Sequence, residues 1–485
     1  MNEQDKTTRI EALDTVVAWN ADTNSHVYLR HTDVVLRGRA IVQVGGSYEG
    51  PVDETLDGRG LMAMPGMINM HSHPSSEPGN RGLLEELGSA KLGQSSLYEY
   101  MPVFRADISA APHANAVAVW EMLRSGVTTY VDMSLPRPGW ADTVAATGVR
   151  GVLGPMYRSA AWATRNGHSV EYTWDEDAGD KAFEAALAVV DSANRHASGR
   201  LSAMLCPSQI DTCSERLLKA SQKEARRLGI PMQIHAAQSI VEFGEITRRH
   251  GCTPIEWLDR IGLLDADLII GHGIFLNDHP SIFWPQADDF GLLGRSGASV
   301  AHCPTVFARR GIALNSLARY QGAGIKVGIG TDTFPHNMLD EMRLAMYVAR
   351  IVERDFTAAS TADVFDAVTV DAARMLGRDD IGRLAPGCKA DLVLVDLQHP
   401  TMRPAREPLR SLVYSAGDRA VRDVYVDGRL VVHNGEVLSI DIEAALAAVE
   451  TEQQATLARV HERDHAGRKA DVLSPRVFAT MAEVG

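Results

Sequence analysis

The sequence predicts an α/β protein: a (β/α)8 TIM barrel with a small β-sandwich domain built from both chain ends. Three observations predict it. Apolar, β-rich runs alternate with amphipathic stretches through the middle of the chain. Polar residues able to do chemistry stand at the carboxyl ends of five of those runs, where barrels keep their active sites. Short β signals appear near both termini, too few at either end to form a stable sheet alone. A doubly wound open sheet is the runner-up. No GxGxxG or GxxxxGK[ST] loop supports it.

Residues 1–62 hold short β segments, at Val27–Arg30, Val34–Leu36 and Ala40–Val44, the last before Gly45-Gly46. The alternating pattern then begins. The apolar runs are Leu61–Met70, Val127–Met133, Arg150–Tyr157 and Leu201–Pro207, followed by Ile230–Ala236, Leu268–Gly273, Ala298–Cys303 and Ile325–Gly330. Helix-like stretches between them include Ala114–Arg124, Asp180–Arg195, Ser214–Leu228 and Asn315–Gln321. Asp363–Leu376 reads as one more helix. After it Lys389–Val395 and Val421–Gly428 are half-alternating, and Asp427-Gly428 predicts a hairpin turn into Arg429–His433. Residues 1–62 and 385–440 are expected to share one sheet, residues 63–384 to form the barrel, and residues 441–485 to form a helix and tail. No internal repeat or low-complexity tract stands out.

The chain has 485 residues, enough for a sizeable core and more than one domain. Its net charge of −14 comes without a basic run, which argues against nucleic acid and anionic membranes as partners. No window approaches 18 consecutive apolar residues, and the polar start Met1-Asn2-Glu3-Gln4-Asp5 lacks a signal-peptide apolar region. Cys206, Cys213, Cys252, Cys303 and Cys388 are odd in number and form no CxxC pair. Each reads as a small buried residue in a reducing cytoplasm.

Strand one ends in Met70-His71-Ser72-His73. Side chains alternate along a strand, so His71 and His73 share a face and two neutral imidazoles can chelate one divalent metal. HxH alone is a weak signal among 17 histidines. The later run ends strengthen it: His235 on strand five, His272 on six, His302 on seven and Asp332 on eight. Histidine or aspartate at five strand ends on one barrel rim points to a metal site.

This set, with Pro65–His73, Ala301-His302-Cys303-Pro304-Thr305, Gly328–Asp332 and Lys389–Asp396, resembles the amidohydrolase superfamily. Within it the motifs are similar to the cytosine-deaminase and chlorohydrolase branch, which includes S-adenosylhomocysteine deaminases, guanine deaminases and triazine hydrolases. The resemblance spans roughly residues 25–440. It implies one divalent metal, zinc first and iron or manganese otherwise, on His71, His73, His235 and Asp332. Strand four reads Met204-Leu205-Cys206-Pro207-Ser208, with no lysine suited to carboxylation, so one metal fits better than two. The metal generates hydroxide near neutrality. The catalytic pair is Asp332, which can take the water's proton, and His272, which orients the water and stabilises developing charge. His302 matches the substrate-side histidine of the branch.

One departure matters. Branch deaminases carry His-x-x-Glu on strand five, and the Glu shuttles a proton to the substrate ring. Here that position is Gln238. An amide hydrogen-bonds but passes no proton near pH 7. The expected reaction is therefore cleavage of a non-peptide C–N bond in an amide, urea or carbamate. The alternative is deamination or dechlorination of a nitrogen heterocycle, with Gln238 only hydrogen-bonding. A barrel that binds ligands without catalysis is the reading from another class, and the intact ligand set speaks against it. Substrate contacts are expected from Gln238, His302, Tyr157 and His336. Arg158, Trp162 and the loop over residues 74–105, with Glu85, Glu86, Tyr98, Tyr100 and Phe104, are further candidates. The partners expected are a small-molecule substrate and copies of the same chain, in a dimer or larger homo-oligomer.

Overall fold

In the computed structural model, which describes residues 6–83, 88–314 and 316–479, the central runs form two parallel sheets. The first contains β1 (Met67–Ser72), β2 (Val127–Ser134), β3 (Arg150–Tyr157) and β4 (Leu201–Ala203), with Cys206–Pro207 continuing β4 alongside β3. The second contains β5 (Met232–Ala236), β6 (Leu268–His272), β7 (Ser299–His302) and β8 (Val327–Ile329), in that order. Isolated parallel bridges join the two at both edges. Leu205 meets Met232 and Gln209 meets His235 on one side, and Ser72 meets Asp332 on the other. Every residue of β1, β2, β5, β6, β7 and β8 is buried, as parallel strands covered on both faces require.

Side chains from both sheets meet in one apolar cluster. Ile68, Met70, Val131, Met133, Val152, Met204, Ile269 and Ala301 lie together, with Met375 and Ile381 beside them. A larger cluster lies between the strands and the helices. The register of β1 against β2 slips between Asn69 and Ser72. Met70 joins the apolar cluster with Ile68, while the next residue, His71, packs among histidines.

The helices follow capping chemistry. Helix α1 (Ala111–Arg124) and α2 (Glu176–Asn194) precede α3 (Glu215–Leu228), where Ser214 accepts from the Leu217 N–H and Gly229 ends the helix at φ +65°. Helix α4 (Ile240–His250) starts directly after β5. Its cap Ser239 accepts from the Glu242 N–H. The tail forms α5 (Ile442–Ala458) and two shorter helices.

The two chain ends build a nine-stranded sheet. Leu61–Pro65 pairs in parallel with Thr7–Asn20 and antiparallel with Leu392–Asp396. Asp427 (φ +54°) and Gly428 (φ +78°) make the expected turn between Val421–Val426 and Arg429–His433.

Two expectations need correction, and two elements lie outside the sequence reading. The first apolar run is two strands: Leu61–Pro65 joins the terminal sheet, Met67–Ser72 the central one, and the chain turns at Gly66, where a Cβ would meet Thr128 Oγ1 at 2.0 Å. The long strand Thr7–Asn20 was not anticipated because its polar residues broke the apolar pattern. Asp363–Leu376 is two helices, Thr361–Ala367 and Val370–Met375. A hairpin of Ala160–Ala163 and Glu171–Trp174 was not foreseen either. All five cysteines are buried and unpaired. No helix among the described residues is long and apolar enough to cross a membrane.

Candidate metal centre

Five groups meet beyond the carboxyl ends of β1, β5, β6 and β8. His73 Nε2 lies 3.2 Å from Asp332 Oδ1, and His71 Nε2 lies 3.5 Å from the same oxygen. His235 Nε2 faces His73 Nε2 at 3.3 Å. His272 Nε2 is 3.8 Å from Asp332 Oδ2. The nitrogens of His71, His235 and His272 lie within 4.8 Å of one another, as do the ligand atoms of His71, His73 and Asp332.

The other ring nitrogens hold these imidazoles in place. His73 Nδ1 donates to the Met133 carbonyl at 2.8 Å, and His235 Nδ1 donates to the Ser208 carbonyl at 2.6 Å. His71 Nδ1 bonds Gln233 Oε1, and the Gln233 amide donates in turn to the Met70 carbonyl at 3.1 Å. With Nδ1 protonated, each Nε2 carries a lone pair pointing inward. His71 Nε2 is buried without a hydrogen-bond partner. Two lone pairs facing each other at 3.3 Å repel unless a cation lies between them, so the donor set fits a divalent metal.

Burial and the neighbouring rings act on the same groups. Burial, then His71 and His73, hold His235 well below the usual imidazole range. Burial does the same to His272. Burial alone would raise the Asp332 carboxyl, but His71, His73 and His272 outweigh it and keep it well below its usual range. Asp332 sits at φ +58°, a left-handed conformation that is strained for a side chain larger than glycine's. Close approach shapes the surroundings. A Cβ at Gly330 would meet the His71 backbone at 2.7 Å, and one at Gly271 would meet His71 Cε1 at 2.9 Å.

The remaining expected residues divide. Gln238 is buried between β5 and α4, beside the Glu242 carboxylate, which accepts from the Ala237 N–H at 2.6 Å. The Gln238 amide nitrogen has no hydrogen bond of normal geometry. Tyr98 reaches the same corner: its hydroxyl lies 3.0 Å from Ser239 Oγ, and its ring meets Trp162 at 5.4 Å. Arg158 lies over Trp162 at 5.2 Å. His302 is buried at the end of β7, its Nδ1 unpartnered, and burial pulls it down to about 4. His336 lies beneath the centre, its Nδ1 2.8 Å from Thr331 Oγ1, and burial lowers it to about 3.

Tyr157 corrects the expectation of substrate contact. Its hydroxyl donates to Ser221 of α3 at 2.7 Å and its ring packs on Phe183 of α2, so it faces the helices. Phe104 and Tyr100 pack with Leu83 and Val460. Glu85 and Glu86 lie outside the described residues. Sequence reasoning missed Gln233, although it lies two residues before His235 on the same strand face. It also missed the Asn69–Thr331 brace, in which the Asn69 amide donates to Thr331 Oγ1 at 2.9 Å and accepts from the Thr331 N–H at 3.1 Å.

Residues 62–431 match the amidohydrolase family. The chain belongs to that family. It is a hydrolase of carbon–nitrogen bonds other than peptide bonds. It is 30% identical over 410 residues to a 5-methylthioadenosine/S-adenosylhomocysteine deaminase of Thermococcus onnurineus, covering 84% of this chain and 90% of that one. A protein of the same description from Pyrococcus furiosus is 30% identical over 420 residues, covering 86% and 94%. Two solved structures share the fold of this amidohydrolase. One is the atrazine chlorohydrolase of Arthrobacter aurescens TC1 complexed with zinc, with TM-score 0.76 and 21% identity over 92% of this chain and 100% of that one. The other is an adenosine deaminase of Xanthomonas campestris with bound zinc, with TM-score 0.75 and 24% identity over 93% and 98%.

Proposed function

We propose that this amidohydrolase holds one divalent metal, zinc first, on His71, His73, His235 and Asp332, and hydrolyses an amide, urea or carbamate of a small molecule. The observation that carries the metal is the convergence of inward-facing Nε2 lone pairs on the Asp332 carboxylate. When bound, the metal would supply a water acidic enough to ionise near neutrality.

The residues then divide the work. Asp332 accepts the water's proton through a carboxylate that its neighbours keep ionised. His272, neutral through burial, orients the water and stabilises charge as it develops on the attacked centre. Gln238 holds the substrate by hydrogen bonds instead of moving a proton. His302 and His336 contribute at the rim and beneath it. A polarised carbonyl needs no proton on a ring nitrogen, which is why Gln238 favours this substrate class.

The second reading, deamination of an aminated heterocycle, is supported by the relatives called 5-methylthioadenosine/S-adenosylhomocysteine deaminase. Ammonia release marks that reaction, and release of a substituted amine marks the first.

The proposal extends to architecture. Residues 63–384 form a closed (β/α)8 barrel, a reading supported by the bridges at both sheet edges. Residues 1–62 and 385–440 form a small β-sandwich domain, and residues 441–485 a helix and tail. Five buried, unpaired thiols support a reducing compartment. A homodimer or larger assembly completes the reading.

The test is metal content together with turnover. His71→Ala or His235→Ala should lose both, since removing one of four ligands weakens metal binding sharply. A variant with a full metal complement and normal turnover would sink the ligand assignment.

A further inference from the structure

Next to the Asp332 side of the centre, the segment after β7 carries two consecutive arginines, Arg309 and Arg310. Arg309 Nη2 donates to Thr333 Oγ1 at 2.7 Å, one residue past Asp332, and its guanidinium lies over the Phe334 ring at 4.8 Å. The Arg310 guanidinium lies 5.8 Å from the Phe307 ring centre. Phe307 in turn meets the His272 ring edge-on at 4.6 Å. Both arginines are therefore seated on residues that touch or adjoin the metal centre.

Neither guanidinium has a carboxylate ion-pair partner among the described residues. Acid is not scarce in a chain of net charge −14, and Arg319 nearby pairs with Asp278 at 2.6 Å. The carboxylates that act on the two arginines are engaged or neutralised. Asp332 faces His71 and His73. Glu341 accepts from the Thr305 N–H at 3.0 Å. Burial pushes Glu77 up to about 7. Burial also pulls Arg310 down to about 10 against the attraction of Asp332, and Arg309 beside it adds like-charge repulsion. Two partly desolvated cations with no carboxylate of the described residues in ion-pair contact are costly, and a guanidinium fork matches a planar oxyanion in two hydrogen bonds.

We infer that Arg309 and Arg310 form a receptor for an oxyanion on the substrate, a carboxylate or a phosphate, set beside the reacting bond. The inference rests on the hydrolase reading of the neighbouring centre and adds the charge of the molecule that the centre takes. Aromatic rings against both cations, at 4.8 and 5.8 Å, help to keep them in place.

The experiment uses metal-loaded protein with benzoate and benzamide, which share shape and differ in charge, and with inorganic phosphate as competitor. Wild type should bind benzoate about tenfold to a hundredfold tighter than benzamide by titration calorimetry, the range expected for charged hydrogen bonds. Arg309→Met/Arg310→Met should bring that ratio close to one while benzamide affinity holds. Arg310→Lys, which keeps the cation and loses the fork, should fall between, and it serves alone if the double variant melts early. Displacement of benzoate by phosphate identifies a general oxyanion receptor; failure to displace restricts it to carboxylates. Equal binding of benzoate and benzamide by wild type, or a ratio that the variants leave unchanged, overturns the inference. Zinc content and turnover of a neutral amide separate the two ideas. If both are normal in the double variant while the binding ratio stays put, only the oxyanion receptor falls.

Discussion

At the scale of single residues, Gln238 decides more than any other position. A carboxyl there would move a proton, and an amide cannot. The structure adds a reason for the amide. The Glu242 carboxylate lies beside it, buried, accepting from the Ala237 N–H, and pushed well above its usual range by burial and Asp211. Gln238→Glu would put a second carboxyl into the same corner. We expect turnover of the native substrate to fall on the order of 10²-fold, as for other misdirected transition-state contacts. Gln238→Ala should act chiefly through KM. A Glu variant with unchanged or improved native turnover would refute this account and favour the deaminase reading.

At the scale of elements, the joints between secondary structures carry the testable chemistry. His26, on the strand Ser25–Arg37, lies between the rings of Trp19 and Phe365 at 5.2 and 5.1 Å. Its Nε2 donates to Thr369 Oγ1 at 3.2 Å, since that hydroxyl donates to the Phe365 carbonyl. Burial, then Arg383 and Arg374, lower its pKa from 6.5 to about 4. Below 6.5 the unfolded chain takes up a proton that the folded chain refuses until about 4. The stability from the neutral ring is therefore full above 6.5 and is lost as pH falls through 4, on the order of 3 kcal/mol at most. Melting temperature measured across this range should fall less steeply for His26→Gln than for wild type. Parallel curves would show that the ring does not contribute to the acid slope.

At the scale of the molecule, one buried ion network ties the central sheets to the terminal sheet. Arg150, at the start of β3, donates to Asp391 at 2.8 and 3.0 Å and to Asp427 at 3.2 Å. Asp391 immediately precedes the returning strand Leu392–Asp396, and Asp427 sits in the hairpin turn and donates its own N–H to Asp391. Removing the cation would leave the buried Asp391 carboxylate without its ion pair and Asp427 with Arg39 alone, at 3.4 Å. Arg150→Met should lower stability by about 3–5 kcal/mol in urea unfolding, the cost typical of breaking a buried pair. The variant's metal content at low temperature should remain normal. A loss under about 1 kcal/mol would mean that the sheets hold together by packing alone.

The sequence by itself determined the strand-end positions of His71, His73, His235, His272 and Asp332. Apolar periodicity locates a strand, and the first polar residue after it marks the end that faces the site. The sequence also exposed Gln238, because a spacing of three from His235 is visible without coordinates. It placed the hairpin at Asp427-Gly428, since few residues other than these tolerate two positive φ angles in succession. Tertiary structure alone decided where side chains point and what they meet. Tyr157 reads as a rim residue until Ser221 and Phe183 claim it. Gly66 divides one apolar run between two sheets, and the pairing of β1 with β2 slips between Asn69 and Ser72. Arg309 and Arg310 carry no signal in the sequence beyond two adjacent cations. Only the folded chain shows that, among the described residues, no carboxylate lies in ion-pair contact with them beside Asp332, because counter-ions are set by contacts between residues far apart along the chain.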